Sequence, residues 1–219
     1  VSCGESGFSI DVDGERIAGD APSQADARPA SDIQVKFDGL EVKPILNVST
    51  VDLRRAYQSG ERISFLASMN YPAWIARKEV LIYETGRKAS ARPIASLPVD
   101  ESGHAAWTMP ADGDGEYAYV LRVSDDKNRF DETVPLTLSR SAEQLSNHQK
   151  EQPVAAGYGD DRTAVRNIPV YGGAVTVYGT NVPAGETVTA LGESIPVDHD
   201  GNFVVQRILP PGEHEVAVA

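Results

Sequence analysis

Leu97-Pro98-Val99-Asp100-Glu101-Ser102-Gly103 and Ile195-Pro196-Val197-Asp198-His199-Asp200-Gly201 are two versions of one phrase. Each is an apolar-Pro-Val strand that runs into Asp-x-x-Gly, with the Asp set to cap a turn and the Gly to take a positive φ. An apolar strand follows each copy, then a Pro-containing turn, then Gly-Glu: Gly115-Glu116-Tyr117 in the first, Gly212-Glu213-His214 in the second. Both copies end on an alternating strand, Tyr117-Ala118-Tyr119-Val120 and His214-Glu215-Val216-Ala217. Linked hairpins repeated at a distance predict two related β-modules rather than one large barrel.

Working outward, short runs that alternate with a period of two recur between turn signals. Ile33-Val35-Phe37 leads into Asp38-Gly39, and Val42 to Val48, Arg62 to Ala67, Trp74-Ile75 and Glu79 to Tyr83 follow. Ile94 to Val99, His104 to Met109, Tyr117 to Val123 and Thr133 to Leu138 complete the series, a spacing expected of a β-sandwich. A smaller set runs from Val165 to Ala219, with turns at Asn181 to Gly185, Gly192-Glu193, Asp200-Gly201 and Pro210-Pro211-Gly212. Gly14 to Ala30 and Ser141 to Arg162 lack apolar periodicity and read as linkers. Phe8 to Val12 alternates ahead of Asp13-Gly14, a short strand suited to being borrowed by a neighbouring domain. The expected fold is therefore all-β, two β-sandwich domains in tandem with flexible linkers. Residues 1–30 form an extension and linker, 31–140 the first sandwich, 141–164 a linker and 165–219 a small second sandwich.

Hydrophobic residues make up 41% of the 219, enough to build cores. Twenty basic against thirty-two acidic side chains leave a net charge of −12, a field that repels nucleic acid. No run of about 18 apolar residues is present, so no membrane insertion by these residues is expected. No intact signal peptide opens the chain, and Val216 to Ala219 stops within a strand-like stretch, so it reads as a piece of something longer. Cys3 is the only cysteine, which excludes an internal disulfide. With Val1-Ser2 before it, Cys3 fits the lipid carrier of a bacterial lipoprotein, though an ordinary cysteine in a loose terminus is the preferred reading.

The second module resembles the carboxypeptidase regulatory-like, prealbumin-type β-sandwiches. The resemblance lies in Asp198-His199-Asp200-Gly201-Asn202-Phe203 and Leu209-Pro210-Pro211-Gly212-Glu213-His214-Glu215-Val216; Tyr171-Gly172-Gly173 and Val182-Pro183-Ala184-Gly185 depart from the usual opening. The first module resembles bacterial Ig-like or fibronectin-like domains, through Gly115-Glu116-Tyr117-Ala118-Tyr119-Val120 followed by Ser124-Asp125-Asp126. Together the two are similar to the periplasmic region of large proteobacterial outer-membrane proteins.

Three Asp-x-Asp-Gly tetrads, at Asp11, Asp112 and Asp198, have the spacing of hard oxygen ligands for calcium. Asp112, Asp114, Glu116, Asp198 and Asp200 are the candidates, but none of the tetrads continues into a loop with a distal Glu, and hairpin turning is the preferred reading. Four histidines fall singly, and with one Cys no zinc site is expected. No nucleophile elbow, phosphate-cradling loop or dinucleotide fingerprint is present. Tyr71 and Trp74 are candidates for stacking on a sugar ring, with Tyr83 and Trp107 as further aromatics, although a sandwich core commonly claims a Trp. These readings imply no cofactor and no catalysis. They lead to a structural or interaction region of a secreted or outer-membrane bacterial envelope protein, periplasmic or extracellular, with protein partners. A carbohydrate-binding module, or accessory domains of a secreted hydrolase, are the alternatives.

Overall fold

The computed structural model describes residues 9–12, 15–18, 32–38, 42–86, 91–112, 115–141, 160–212, 214 and 216–217. Among them the chain is all-β, with one 3₁₀ turn at Pro72–Trp74 and no α-helix. The strands are β1 (Ser9–Val12), β2 (Glu15–Ala18), β3 (Asp32–Asp38), β4 (Leu46–Thr50), β5 (Ala56–Tyr57) and β6 (Arg62–Met69). Then come β7 (Arg77–Glu84), β8 (Ala95–Pro98), β9 (His104–Thr108), β10 (Glu116–Ser124), β11 (Phe130–Thr133) and β12 (Leu136–Arg140). The last are β13 (Thr163–Val165), β14 (Gly173–Thr180), β15 (Val188–Ala190), β16 (Glu193–Ile195), β17 (Phe203–Leu209) and β18 (Val216–Ala217). They divide into a central unit, Lys43–Val170, and a discontinuous unit made of Val1–Val42 and Tyr171–Ala219.

In the central unit, period-two burial along β4 and β6 turns Leu46, Val48, Ile63 and Phe65 inward. With β9 these strands form one sheet in the order β4-β6-β9. The facing sheet is centred on β10, which pairs with β7 along one side and with β11 and β12 along the other. β8 extends it beyond β7, and the short β5 lies parallel on β12. Tyr117, Tyr119, Leu121 and Val123 alternate onto the face that meets the first sheet. Phe65 touches Tyr119 there with ring centroids 4.9 Å apart, and Trp107 meets Tyr117 edge-on at 5.1 Å. Each large apolar side chain so buried stabilises the fold by about 1.5–3 kcal/mol. On the opposite face Arg122 stacks over the Phe130 ring and pairs with Glu132. The pairing of β10 shifts by one residue between its β11 and β12 partners, an irregularity placed at Val134-Pro135. Thr133 Oγ1 accepts the Leu121 N–H there at 3.0 Å.

The discontinuous unit is centred on β14, flanked by β17 and β3. Val175 and Val177 of β14, Val205 and Phe203 of β17, and Val188, Ala190, Ile195 and Val216 share one core, with Ile33 and Val35 of β3 packed against it. Gly179 sits opposite Phe203, whose ring would lie 2.4 Å from any Cβ placed there. The β15–β16 hairpin turns through Leu191 and Gly192, both at positive φ, the geometry that matches strand twist in a two-residue hairpin. β1 pairs in parallel with β18 and antiparallel with β2.

The elements depart from the sequence expectation in several places: Trp74-Ile75, expected as a strand, instead closes the 3₁₀ turn Pro72–Trp74. Ile33-Val35-Phe37, expected to open the first sandwich, forms β3 and pairs along its whole length with β14 of the discontinuous unit. Thr163–Val165, expected partly as linker, is β13 on the edge of β11 in the central unit. Glu15–Ala18, within the expected N-terminal linker, is β2. The expected strand at Phe8 to Val12 is met by β1, beside a strand from the far end of the chain.

Candidate functional site

The repeated phrase folds into the same loop twice. In the first copy the Asp100 N–H donates to His104 O at 2.9 Å and the Gly103 N–H to Asp100 O at 3.2 Å; in the second, Asp198 N–H to Asn202 O is 2.9 Å and Gly201 N–H to Asp198 O is 3.1 Å. One carboxylate oxygen caps each turn: Asp100 Oδ1 accepts the His104 N–H at 2.8 Å, and Asp198 Oδ1 accepts the Asn202 N–H at 2.8 Å and the Asp200 N–H at 2.9 Å. A third loop, Asp125 to Arg129, repeats the pattern. Its Asp125 N–H donates to Arg129 O at 3.0 Å, and Asp125 Oδ1 accepts the N–H groups of Lys127 and Arg129 at 3.0 and 2.8 Å. Asn128, at φ 60°, stands where the other two have glycine, so a search for Asp-x-x-Gly passes it by.

All three carboxyls are held below the ordinary aspartate value. For Asp100 the Ser102 hydroxyl is the main cause, and for Asp198 the Asn202 N–H. For Asp125 burial pushes upward, and the Arg129 guanidinium with the loop N–H groups outweighs it. In Asp125 the loop N–H groups and the Arg129 guanidinium between them engage both carboxylate oxygens. Asp198 Oδ2 also accepts from Asn202 Nδ2 at 3.2 Å.

The other calcium candidates are dispersed. Asp200 is exposed, 3.3 Å from His199 Nε2. Asp112 is exposed and contributes its backbone carbonyl, which accepts Arg140 Nη1 at 2.6 Å and the Tyr117 hydroxyl at 3.3 Å. Glu116 is exposed at the start of β10, while Asp114 lies outside the described residues, as does Cys3. Among the described residues no group of three or more His, Cys, Asp or Glu side chains is placed to hold a metal ion.

The aromatic candidates separate in the same way. Tyr71 is fully buried, so it offers no ring face to a sugar, which corrects its reading as a sugar-stacking candidate. Trp74 is half-buried in the 3₁₀ turn, and Trp107 lies against Tyr117 between the sheets. Tyr83 falls in register with Ala118, on the face of its sheet opposite Tyr117. The four do not share a platform.

What buries Tyr71 is a node that the sequence does not announce. Its hydroxyl donates to Asp131 Oδ2 at 2.8 Å, and Asp131 Oδ1 accepts the N–H groups of Asn167 and Ile168 at 2.6 and 2.9 Å. Asp131 is fully buried, and burial together with this carboxylate pushes the Tyr71 hydroxyl well above its ordinary value. A buried hydroxyl donating to a carboxylate that also accepts two backbone N–H groups ties Tyr71 to the chain at Asn167 and Ile168.

No protein-family model matches the chain, and no curated protein is found to be similar to it.

Proposed function

We propose that the chain is a non-catalytic structural and interaction region of a secreted or outer-membrane bacterial envelope protein, working outside the cytoplasm with protein partners. In this reading the central unit is an Ig-like module and the discontinuous unit a prealbumin-type one. The observation that carries it is the strand order of the central unit. The sheet β4-β6-β9 faces a seven-stranded sheet in which β12, β10 and β7 lie side by side, an order that corresponds to strands A-B-E against G-F-C of the Ig fold, with β5, β8, β11 and β13 as additional short strands. Tyr117 supports it further: near the start of β10, its hydroxyl bonds back to the Asp112 carbonyl, in the manner of the tyrosine corner of Ig-like domains. Such modules bind partners through sheet edges.

β9 offers an edge of this kind. Its bonds from Met109 N–H to Glu61 O, and from Ala67 N–H to Gly103 O, set the odd residues toward β6. The backbone groups of Ala106 and Thr108 then point away from the sheet, where no described strand pairs with them. Neither Pro nor Lys blunts β9, whereas β8 ends in Pro98.

Fractionation of cells that make the protein, with a photo-crosslinker at Thr108, tests the reading. Recovery with the envelope is expected, with an adduct to an envelope protein that weakens when Ala106→Pro removes an edge N–H. Recovery in the cytoplasm overturns the proposal. Saturable oligosaccharide binding would favour the carbohydrate-binding alternative.

A further inference from the structure

Residues 160–168 hold to the central unit mainly through polar contacts. The Arg162 N–H donates to Leu46 O at 2.9 Å, and Arg162 O accepts the Val134 N–H at 2.8 Å. Asp161 Oδ1 accepts the Leu46 N–H at 3.5 Å, while within the segment it accepts the Thr163 N–H at 3.1 Å and Asp161 Oδ2 accepts Arg166 Nη2 at 3.0 Å. Arg166 Nη1 reaches Pro44 O at 2.8 Å, and Asn167 Nδ2 reaches Phe130 O at 3.0 Å. Ile168 is the one buried side chain in the stretch; Ala164, Arg166 and Asn167 are exposed. At its far end Asp131 gathers two successive N–H groups onto one oxygen.

A segment with one buried apolar side chain is far less expensive to detach than a sheet buried on both faces. We infer that residues 160–168, which include the edge strand β13, form a latched strap, with Asp131 as the latch, which opens as a unit while the rest of the two facing sheets stays folded. Opening bares the outer edge of β11 and gives the chain that leads into β14 about 30 Å of additional extended length. Asp131 is a positioning residue here: it acts on the strap through the Asn167 and Ile168 N–H groups, and Tyr71 keeps it oriented.

Amide hydrogen exchange of the full chain, followed against low denaturant, tests this. The N–H groups of Val134, Asn167 and Ile168 are expected to exchange at least tenfold faster than those within β6 and β10, through an opening almost insensitive to denaturant. Asp131→Asn is expected to speed the strap amides a further tenfold while those of β6 keep their wild-type rate. If strap and β10 amides share one opening with the same denaturant slope, the strap is no separate unit and the inference fails. It fails equally if Asp131→Asn speeds every amide alike. Should that variant not fold, the wild-type slopes decide alone.

Discussion

The loops at Gly103 and Gly201 share a backbone course with the loop at Asn128, but not its freedom. All three turn residues have positive φ, at 83°, 77° and 60°. At Gly103 a Cβ would stand 2.6 Å from Ala67 O, and at Gly201 one would stand 2.7 Å from Val182 O. Both carbonyls belong to a chain that the loop itself bonds: Ala67 N–H to Gly103 O at 2.8 Å, and Val182 N–H to Gly201 O at 3.0 Å. Asn128 is exposed, and a left-handed φ is the demand made on it. Left-handed backbone alone admits Asn; a carbonyl within 3 Å of the Cβ position admits glycine alone.

Gly103→Ala and Gly201→Ala break the comparison most strongly. Each combines a left-handed alanine with an atom forced into occupied space, for a loss of about 2–4 kcal/mol in denaturant unfolding. Gly103→Asn sharpens the cause, because Asn relieves only the backbone term. Most of the loss is expected to persist; full recovery with Asn would show that the carbonyl does not matter.

Tyr71→Phe tests the buried node of the central unit against these loops. It leaves Asp131 Oδ2 without its donor in a buried site, a loss of about 1.5–3 kcal/mol on the same measurement. A loss below about 0.5 kcal/mol would show that Asp131 is satisfied by the strap N–H groups alone.

The contrast also marks what the sequence makes legible. Asp-x-x-Gly is readable because one residue supplies the cap and another the rare φ, both within the loop. Period-two alternation likewise gives most strands of both units, since it reports burial of one face. It says nothing about which strand lies alongside, which is why Ile33-Val35-Phe37 could be recognised as a strand and still be assigned to the wrong sheet. Asp131 is hidden for a related reason. In Phe130-Asp131-Glu132-Thr133 an acidic residue reads as exposed, and its burial depends on Tyr71 and Asn167, distant in sequence. Asp198 and Asp112 suggested ligands because spacing shows carboxylates but not the N–H groups that already fill one of them.

Acid exerts a smaller effect, common to the three loops. A carboxyl held below its unfolded value of about 3.9 stabilises the fold at pH above that value, and the gain is lost as pH falls through the folded value. Asp100, Asp125 and Asp198 all lie on that side. Unfolding midpoints of wild type and of a variant with Asn at all three positions are therefore expected to differ at pH 7 and to draw together progressively as pH falls below about 4. A gap that persists undiminished at pH 2 would show that the side chains matter for shape rather than charge.

Asn128→Gly makes the smallest change and the most discriminating one. Glycine relieves the left-handed φ in the folded loop but adds conformational freedom to the unfolded chain, and the two effects offset to within about 0.5 kcal/mol. Asn128→Ala keeps the strain and gives up a residue tolerant of this region, for a loss of about 1 kcal/mol. The loop is thus expected to accept Gly and penalise Ala mildly, whereas Gly103 and Gly201 penalise both Ala and Asn. If Asn128→Ala were as damaging as Gly201→Ala, backbone handedness rather than the nearby carbonyl would govern all three loops, and the distinction between them would fall.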